Sequence, residues 1–326
     1  KQFIMNKDIT YYGIDISKDV FDVMDSKSCF YQFENSLKGF KKFKKILADN
    51  SHCVMEATGY YHYQLAEFLC DNNILVSVEN PLSVKRFIQM KLSKVKTDKS
   101  DAKMICLYAE KVDLKIWKGQ SENQKECLQI IRLLTLYFKQ STAIKNKIHG
   151  EEVLGTPSKM VIRSLKRSLK QTQKEISDLE AYLTELVKFE HQELLTLLES
   201  IPGIGRKTAI MLLVLTEGFE RFENAKQLCS FTGLTPIIRQ SGTSVKGRPR
   251  ISKVGNKKLR NLLFMCSFTA CQNNKACKDI YERITAKGKS KKLALMAVCN
   301  KLLKQAFAVA KSKVMYDENY RSVLVN

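Results

Sequence analysis

The fold of the first third of this chain is decided by YYGIDI, residues 11–16, an apolar β-type run that carries one acidic side chain. Further β-type and helical runs follow it in regular succession. The β-type runs are residues 11–16, 20–24, 29–33, 52–56 and 74–78, and the helical runs are residues 37–48 and 63–70. Three strands in a row, followed by alternating strands and helices, predict an α/β segment in which helices cover a mixed sheet.

Two acidic residues stand in strand positions where an acid is unexpected. Asp15 lies inside the apolar strand, and Glu56 ends the run CVME, residues 53–56. An ionised carboxylate in such a place is costly unless it is paired or binds a cation. If the two strands are neighbours, both carboxylates converge at one edge of the sheet, and Mg²⁺ prefers oxygen ligands of this kind. The alternative for each residue is a strand-end carboxylate that faces water.

Two more acids precede a helical run. Asp98 and Asp101 are three residues apart and therefore share one face of a helical turn. The alternative is capping, with Asp98 as the N-cap and Asp101 in the first turn. Four acids in a strongly basic protein instead favour a phosphodiester enzyme, since such enzymes hold two Mg²⁺ ions about 3.5–4 Å apart with several carboxylates.

The charge of the chain indicates a polyanionic partner. Its 326 residues include 55 Lys and Arg against 33 Asp and Glu, for a net charge of +22. Nucleic acid is the common partner of such a protein, and a merely soluble basic protein is the alternative. A hydrophobic share of 44% argues against intrinsic disorder.

The cysteines and histidines exclude a zinc site and a disulfide framework. None of the ten cysteines forms a CxxC pair, and the four histidines lack metal-ligand spacing. No apolar run approaches the roughly 20 residues that span a bilayer, and residues 1–10 lack the apolar core of a signal peptide. We therefore expect a protein of a reducing cytoplasm without a membrane segment.

The middle of the chain carries a heptad seam. Apolar residues recur at alternating spacings of three and four, with Thr172 at the one polar position. They are Ile162, Leu165, Leu169, Ile176, Leu179, Leu183 and Leu186. This pattern predicts a coiled-coil arm or a helical hairpin. The facing helix is either residues 127–148 of the same chain or a helix of another subunit.

A helix, a tight turn and a second helix follow the seam. Residues 194–200 and 206–215 are helical in pattern, and the turn between them reads IPGIG, residues 201–205. Gly203 and Gly205 permit unusual backbone conformations, and Arg206 and Lys207 begin the second helix. This helix-hairpin-helix pattern is typical of DNA-backbone binding through amide groups at a helix start. A compact helical turn without a ligand is the alternative.

A basic stretch rich in glycine comes next. Residues 241–253 read SGTSVKGRPRISK, and no acidic residue occurs up to residue 260. The stretch predicts a loop that is ordered against phosphates, with a solvated, mobile loop as the alternative. The cations expected to bind phosphate are Lys246, Arg248, Arg250, Lys253, Lys257 and Lys258. A last helical pattern covers residues 289–314.

These motifs together resemble a known family. The first segment is similar to RuvC-like nucleases of the ribonuclease H fold, and the later one to the transposase domain that accompanies them in the IS110 family of insertion-sequence transposases, the bridge-RNA-guided recombinases. The first resemblance rests on GID (13–15), MEATG (55–59) and KTDKSDA (96–102), and the second on IPGIG (201–205), GLTP (233–236) and SGTS (241–244). It covers almost the whole chain, in the right order.

The resemblance implies more than composition does. It implies an Asp-Glu-Asp-Asp tetrad that holds Mg²⁺ at Asp15, Glu56, Asp98 and Asp101, and a catalytic serine at Ser241. It also implies composite sites formed between subunits of a tetramer, a dimer of dimers. Donor and target DNA would pair with a structured guide RNA from the element's non-coding end, so that base pairing reads the sequence.

The expected organisation is α/β plus α. A RuvC-like nuclease domain would cover residues 1–118, a helical coiled-coil segment 119–195, and a mainly helical transposase domain 196–326. Two other functions compete with an RNA-guided recombinase. One is a structure-specific nuclease that hydrolyses junctions without Ser241 or a guide RNA, and the other is an inactive nucleic-acid-binding protein. Strand joining separates the first from the second, and metal-dependent nicking separates both from the third.

Overall fold

The computed structural model describes residues 9–57, 59–92, 97–238, 240–241, 245–247 and 250–319; for residues 240, 241, 245 and 246 it describes the backbone alone. The chain forms two compact units, Lys1–Gln120 and Ser121–Asn326. The strands are β1 Thr10–Ile16, β2 Val20–Asp25, β3 Phe30–Glu34, β4 Ser51–Glu56, β5 Leu75–Glu79, β6 Pro236–Ile237, β7 Gln240–Ser241, β8 Val245–Lys246 and β9 Arg250–Ile251. The helices are α1 Leu37–Lys44, α2 His62–Asp71, α3 Pro81–Met90, α4 Asp98–Lys111, α5 Glu122–Val153, α6 Lys159–Glu199, α7 Arg206–Thr216, α8 Ala225–Thr232, α9 Lys257–Asn273, α10 Lys275–Ala286 and α11 Lys291–Ser312.

The first unit is built on a five-stranded mixed sheet of order β3-β2-β1-β4-β5. β1 and β2 pair antiparallel, as do β2 and β3, because short turns connect them. β4 pairs parallel with β1 and with β5, since helices α1 and α2 make the crossovers. The mixed α/β architecture expected from the pattern of strands and helices is therefore confirmed.

Successive residues of each strand face opposite sides of this sheet. One side carries Ile14, Phe21 and Met55, which pack with aromatic residues of α1 and with α2 in the main core of the unit. The other side is covered by α4, whose Ile105 packs against Val54. Alternation along β1 thus sends Ile14 into the main core and sends Gly13 and Asp15 to the α4 side.

Some elements differ from the sequence-based expectation. The helix predicted over residues 37–48 ends at Lys44, and α3 was not anticipated. Its signal was present, because Asn80 accepts a hydrogen bond from the Leu82 backbone N–H and Pro81 occupies the first helical position. Helices α8, α9 and α10 were not anticipated either.

The seam of α6 has its partner within the same chain. α5 packs along α6, and near the start of α5 Asn123 donates to the Leu186 carbonyl at 3.1 Å and Tyr182 donates to Glu126 at 2.8 Å. Leu183 of the seam is only 4% exposed. Of the two partners left open above, the structure places α5 against the seam, as a helical hairpin.

α6 is long and bent. It runs for 41 residues, and His191 interrupts it with non-helical dihedrals (φ −133°, ψ 30°). The imidazole of His191 lies against Gly218, where a Cβ atom would stand 3.2 Å from the ring carbon Cε1. The bend divides the hairpin arm from the last turns before the IPGIG segment.

The remaining helices enclose the core of the second unit, with α11 at its centre. α11 packs on α6, α8, α9 and α10 and buries residues along its length, among them Val298, Leu302 and Ala306. By length and composition alone this 22-residue helix could cross a membrane, although no 20-residue apolar run was anticipated. Its contacts are those of a core helix. All ten cysteines are free thiols, and Cys29 is the exposed one.

Candidate active site and nucleic-acid interface

Strand register aligns four carboxylates across the α4 side of the sheet. Asp22 pairs with Asp15 across β2 and β1, and Glu56 pairs with Glu79 across β4 and β5. The parallel register of β1 and β4 sets Ile14 beside Met55, so the next residues, Asp15 and Glu56, are also neighbours. Residues opposite one another on adjacent strands point to the same face. Four acids therefore cross the sheet in the order Asp22, Asp15, Glu56, Glu79.

Helix α4 reaches this row because Gly13 has no side chain. A Cβ atom at Gly13 would lie 2.2 Å from the Cys106 backbone nitrogen and 2.4 Å from the Ala102 carbonyl oxygen. No real contact is that short, so any other residue would push the helix away from the sheet. Gly13 is thus a condition for bringing Asp98 and Asp101, in the first turn of α4, towards Asp15.

The capping interpretation of Asp98 is wrong, because Thr97 is the N-cap of α4. The Thr97 side chain accepts from the Ser100 backbone N–H at 3.2 Å, and the Ser100 hydroxyl accepts from the Thr97 N–H at 2.9 Å. This reciprocal capping box satisfies the helix start. Asp98 is consequently the first helical residue, and its carboxylate is not needed as the cap.

The electrostatics of Asp15 show that the acids share one environment. Burial, followed by the negative charges of Asp101, Asp98, Glu56 and Asp22, raises the pKa of Asp15 from 3.8 to about 6. The other three residues predicted for the tetrad are therefore all within electrostatic reach of Asp15. Their oxygens form a hard donor set of the type that divalent cations prefer.

The carboxylates do not already stand at ligand spacing. Over the residues that the structure describes, no group of three or more Asp, Glu, His or Cys side chains is arranged to hold a metal ion. Like charges repel at short range, and here that repulsion acts on residues placed on neighbouring strands and on a helix start. What is observed is a convergent anionic surface.

Sequence reasoning missed the two acids at the ends of the row. Asp22 is 4% exposed, and Gln32 Nε2 donates to its Oδ1 at 2.9 Å. Glu79 accepts from the Tyr108 hydroxyl at 3.0 Å. Burial raises the pKa of both carboxyls, while the Tyr108 hydrogen bond and Lys115 act in the opposite direction on Glu79. The signal for Asp22 was the same as for Asp15, an acid inside an apolar strand.

Ser241 lies in the second unit, in a short antiparallel ladder. β7 pairs with β8, with Ser241 opposite Val245 and Gln240 opposite Lys246. The stretch expected as a loop therefore includes local strand pairing. The side chains of Ser241 and Lys246 are outside the described structure, as are Arg248 and the rest of its neighbourhood at residues 242–244 and 249.

The turn IPGIG joins α6 to α7 as predicted. Gly203 has φ +104°, and a Cβ atom there would lie 2.7 Å from the Ala270 Cβ, so glycine is required on both counts. Gly205 is different: it caps α7 with φ −87° and has open space around it. The N-cap Gly205 offers no side-chain acceptor to α7, and the first backbone N–H groups of a helix lack partners in the preceding turn.

The cations that begin α7 are already paired. The Arg206 guanidinium donates to Glu199 at 2.7 Å, and Lys207 Nζ donates to Glu180 at 2.8 Å. Both cations are well exposed, so these ion pairs are weak and open to exchange with a phosphate.

A cationic cluster lies beside an apolar groove of the second unit. The groove has a volume of about 1020 Å³ between α5, α6, α7 and α9, and Leu134, Phe138 and Ile210 are among its lining residues. At its rim Lys258 Nζ donates to the Thr135 hydroxyl at 2.6 Å. Partial desolvation lowers the pKa of Lys258, and the neighbouring charges of Lys139 and Arg132 lower it further. Lys258, at the start of α9, is thus repelled by two cations of α5.

Three other predicted phosphate ligands, Arg250, Lys253 and Lys257, are exposed residues that precede Lys258 in the sequence. Arg250 is exposed on β9, where it pairs with Ile237 of β6. Lys253 adopts a left-handed backbone conformation (φ 58°), and Lys257 is the first residue of α9, after the N-cap Asn256. Among the ion pairs of the described residues, none involves Arg250, Lys253 or Lys257.

Two family models match this chain. One is described as Transposase IS116/IS110/IS902 family and matches residues 195–282. The other represents IS110-type DEDD transposases, is described as Transposase, and matches residues 12–154. The first match lies within the second structural unit, and the second covers most of the first unit and continues through α5 of the second.

Known proteins are similar over nearly the full length. The pilin gene-inverting proteins of Moraxella bovis and Moraxella lacunata are each 30% identical over 322 residues, which cover 95% of this chain and 98% of the relative. The transposase for insertion sequence element IS1111A of Coxiella burnetii is 25% identical over 287 residues, which cover 79% of this chain and 76% of that protein.

Proposed function

Because this chain belongs to the IS110 family of transposases, we propose that it is an RNA-guided DNA recombinase that cuts and rejoins donor and target strands. Its membership makes it a DNA transposase or recombinase, and DNA is its substrate. The observation that carries the finer proposal is the convergence of Asp15, Glu56, Asp98 and Asp101 on one face of the sheet. That arrangement suits phosphodiester chemistry assisted by divalent cations.

The proposed domains follow the family's order. A RuvC-like domain of the ribonuclease H fold covers residues 1–118, and the strand order, with two antiparallel and two parallel pairings, supports it. A helical segment covers residues 119–195, and a transposase domain covers residues 196–326. The backbone of the IPGIG turn and the uncapped start of α7 support a phosphate-binding helix-hairpin-helix.

The four acids would hold Mg²⁺. When bound, Mg²⁺ stabilises charge on the attacking and leaving oxygens of a phosphodiester. Asp15 and Glu56 supply oxygens from adjacent strands, and Asp98 and Asp101 supply them from the first turn of α4. Since burial and the neighbouring acids disfavour the ionised form of Asp15, cation binding at a pH near or below its pKa of about 6 would release that residue's proton.

Ser241 is the proposed nucleophile. Its Oγ would attack a phosphorus atom of the DNA backbone, and the strand's own oxygen would leave, so that a phosphoserine bond conserves the energy of the cut bond. A serine hydroxyl needs activation at neutral pH. Composite sites, formed in a tetramer by the acids of one subunit and the serine of another, would supply it. Cations of the stretch from Lys246 to Lys258 would stabilise charge on the phosphate.

Sequence recognition is assigned to an RNA. A guide RNA would pair with both DNA partners, while the protein binds backbone through its cations in the bacterial cytoplasm. The pilin gene-inverting relatives favour a second outcome of the same chemistry, the inversion of a DNA segment. Inversion and transposition differ in the arrangement of the ends that are joined, and both need cutting and rejoining.

A denaturing gel tests this proposal. Protein purified with its own RNA is mixed with end-labelled DNA that carries the ends of its element, in Mg²⁺. We expect a protein–DNA adduct and joined products with the wild type, neither with Ser241→Ala, and both with the matched control Ser252→Ala. Cleavage without an adduct, or joining at normal rate by Ser241→Ala, would instead identify a hydrolytic nuclease or another nucleophile.

A further inference from the structure

We infer that Asp22 is a positioning residue of the proposed cation site, which strengthens cation binding by holding a fixed negative charge beside Asp15. This inference rests on the proposed function and adds a fifth carboxylate to it. Asp22 would act through Asp15 and would not itself touch the DNA.

The register of the sheet fixes the relation between the two carboxylates. Asp22 of β2 pairs directly with Asp15 of β1. Residues opposite each other on antiparallel strands have Cβ atoms about 4.5–5.5 Å apart and point to the same face. Two residues further along β2, Met24 packs with Ala102 and Cys106 of α4, so this face of β2 is the one that α4 covers. Asp22 is therefore built into the α4 side of the sheet.

The surroundings of Asp22 do not explain why an acid stands there. The residue is 4% exposed, and burying a carboxylate is unfavourable unless its charge is compensated. In the part of the chain that the structure describes, its one hydrogen-bond donor is the neutral amide of Gln32, at 2.9 Å. The acid that faces it across the two strands is Asp15, and the charge of Asp98 acts on it from the start of α4. The burial of the Asp22 charge beside other acids becomes favourable when a divalent cation binds to them.

Two other acids, the buried Asp25 and the half-buried Glu79, show what a structural carboxylate looks like in this unit. Asp25, on the same strand, accepts from the backbone N–H groups of Lys27 at 2.9 Å and Cys29 at 2.8 Å and so closes the β2–β3 turn. Glu79, at the other end of the row, accepts from Tyr108 and lies near Lys115. The hydrogen bonds of Asp25 and of Glu79 account for the presence of an acid at each position. Asp22 is oriented by the Gln32 amide, and it faces another acid, Asp15.

The expected effect is on cation affinity. The charge of Asp22 adds to the field that attracts a divalent cation to Asp15, and its partial burial limits screening by water. Removing a residue that supports metal ligands typically weakens metal binding by about 10–100-fold. We expect the lower end of this range, about 10-fold, because the four proposed ligands remain in place.

Mn²⁺ titration followed by electron paramagnetic resonance tests the inference on the full chain, without DNA. Asp22→Asn keeps the shape and the Gln32 contact but removes the charge, and it should raise the Kd for Mn²⁺ about 10-fold. The matched control is Asp25→Asn, which removes a buried acid of the same strand. It should lower the Tm by loosening the turn while leaving the Kd for Mn²⁺ unchanged.

The outcomes separate this inference from the proposed function. Unchanged Mn²⁺ affinity in Asp22→Asn, with binding lost in Asp15→Asn, overturns the inference and leaves the tetrad standing. A wild-type protein that binds no Mn²⁺ overturns both. If Asp22→Asn does not fold, Gln32→Leu takes its place: released from its donor, the Asp22 carboxylate should orient less well and weaken Mn²⁺ binding, and unchanged affinity overturns the inference.

Discussion

The two units of this protein hold the charges that the proposed chemistry needs in different ways. In the first unit, acids are placed on paired strands and on the start of α4, where register and a capping box fix them. In the second, cations such as Arg250 and Lys257 are exposed on short ladders and helix starts. Anions held in place can select the geometry of a reaction, whereas exposed cations contribute affinity that is shared among many contacts. The comparison predicts large effects from single acids and small ones from single cations.

The largest expected effect is on the chemical step. Glu56→Gln preserves shape but removes a charged oxygen ligand, so DNA cleavage in Mg²⁺ should fall by about 10³-fold or more. RNA and DNA binding should be nearly unchanged, because the cations of the second unit are untouched. Cleavage rates on labelled DNA measure this, with Glu110→Gln, an exposed acid at the far end of α4, as the control. Cleavage by Glu56→Gln at the wild-type rate would remove Glu56 from the site.

A second effect concerns the contact on which the acidic site depends. Gly13→Ala places a methyl group where the Cys106 nitrogen and the Ala102 oxygen leave no room, so α4 must shift. We expect a loss of about 1–3 kcal/mol in the free energy of unfolding, together with loss of cleavage. Urea unfolding measures the first quantity. Gly150→Ala is the control, since nothing lies within 4 Å of that position in α5, and alanine there should stabilise by about 0.5–1 kcal/mol. Equal stability of both variants would contradict the close approach of α4.

A third effect is a gain in stability when the site loses its charge. The pKa of Asp15 is raised from 3.8 to about 6 in the folded protein. The folded state therefore binds this proton more tightly than the unfolded chain, and its stability falls as the pH rises through that window. Without divalent cations, Asp15→Asn should exceed the wild type by about 1–2 kcal/mol at pH 7, less than the full shift implies because water screens the partly exposed group. Below pH 3.8 the difference should vanish. A difference that is constant with pH would rule out Asp15 as its source.

The smallest expected effect belongs to a single cation. Lys258→Gln should weaken binding to every nucleic-acid sequence alike and reduce the slope of log affinity against log salt by about one unit. The charge lost from its cluster with Lys139 and Arg132 is partly offset, because repulsion between the remaining cations falls. Filter binding at several salt concentrations measures this. The control is Lys188→Gln, which removes a lysine already paired with Glu185 on α6. A loss confined to one base sequence would indicate direct readout.

Much of the first unit could be predicted from the sequence because its signals are local. Each strand alternates or runs apolar over five to seven residues, and the acids in those strands stand out against that background. The mixed sheet and the convergence of Asp15 with Glu56 follow from such patterns. Asp22 escaped prediction although it carries the same signal, because its significance depends on strand pairing. Which residue faces Asp15 depends on the register between two strands, and the sequence of one strand does not determine that register.

Other features required distances that no pattern contains. The role of Gly13 depends on the approach of residues 102 and 106, some ninety positions away in the sequence. The cluster of Lys258 with Arg132 and Lys139 joins α9 to α5 across a similar separation. The choice of α5 as the partner of the seam also needed the folded chain, because a heptad pattern specifies that a helix packs there without specifying which one.

Because α6 bends at His191, a small change of angle there displaces the far end of the hairpin arm by a large distance. From Lys159 to the bend, α6 extends for about 48 Å at 1.5 Å per residue. A change of about 10° at such a pivot would carry the far end of the arm about 8 Å, more than one helical turn. Small adjustments of packing around His191 and Gly218 are therefore magnified with distance, and the tip is the place where a label would report them most sensitively.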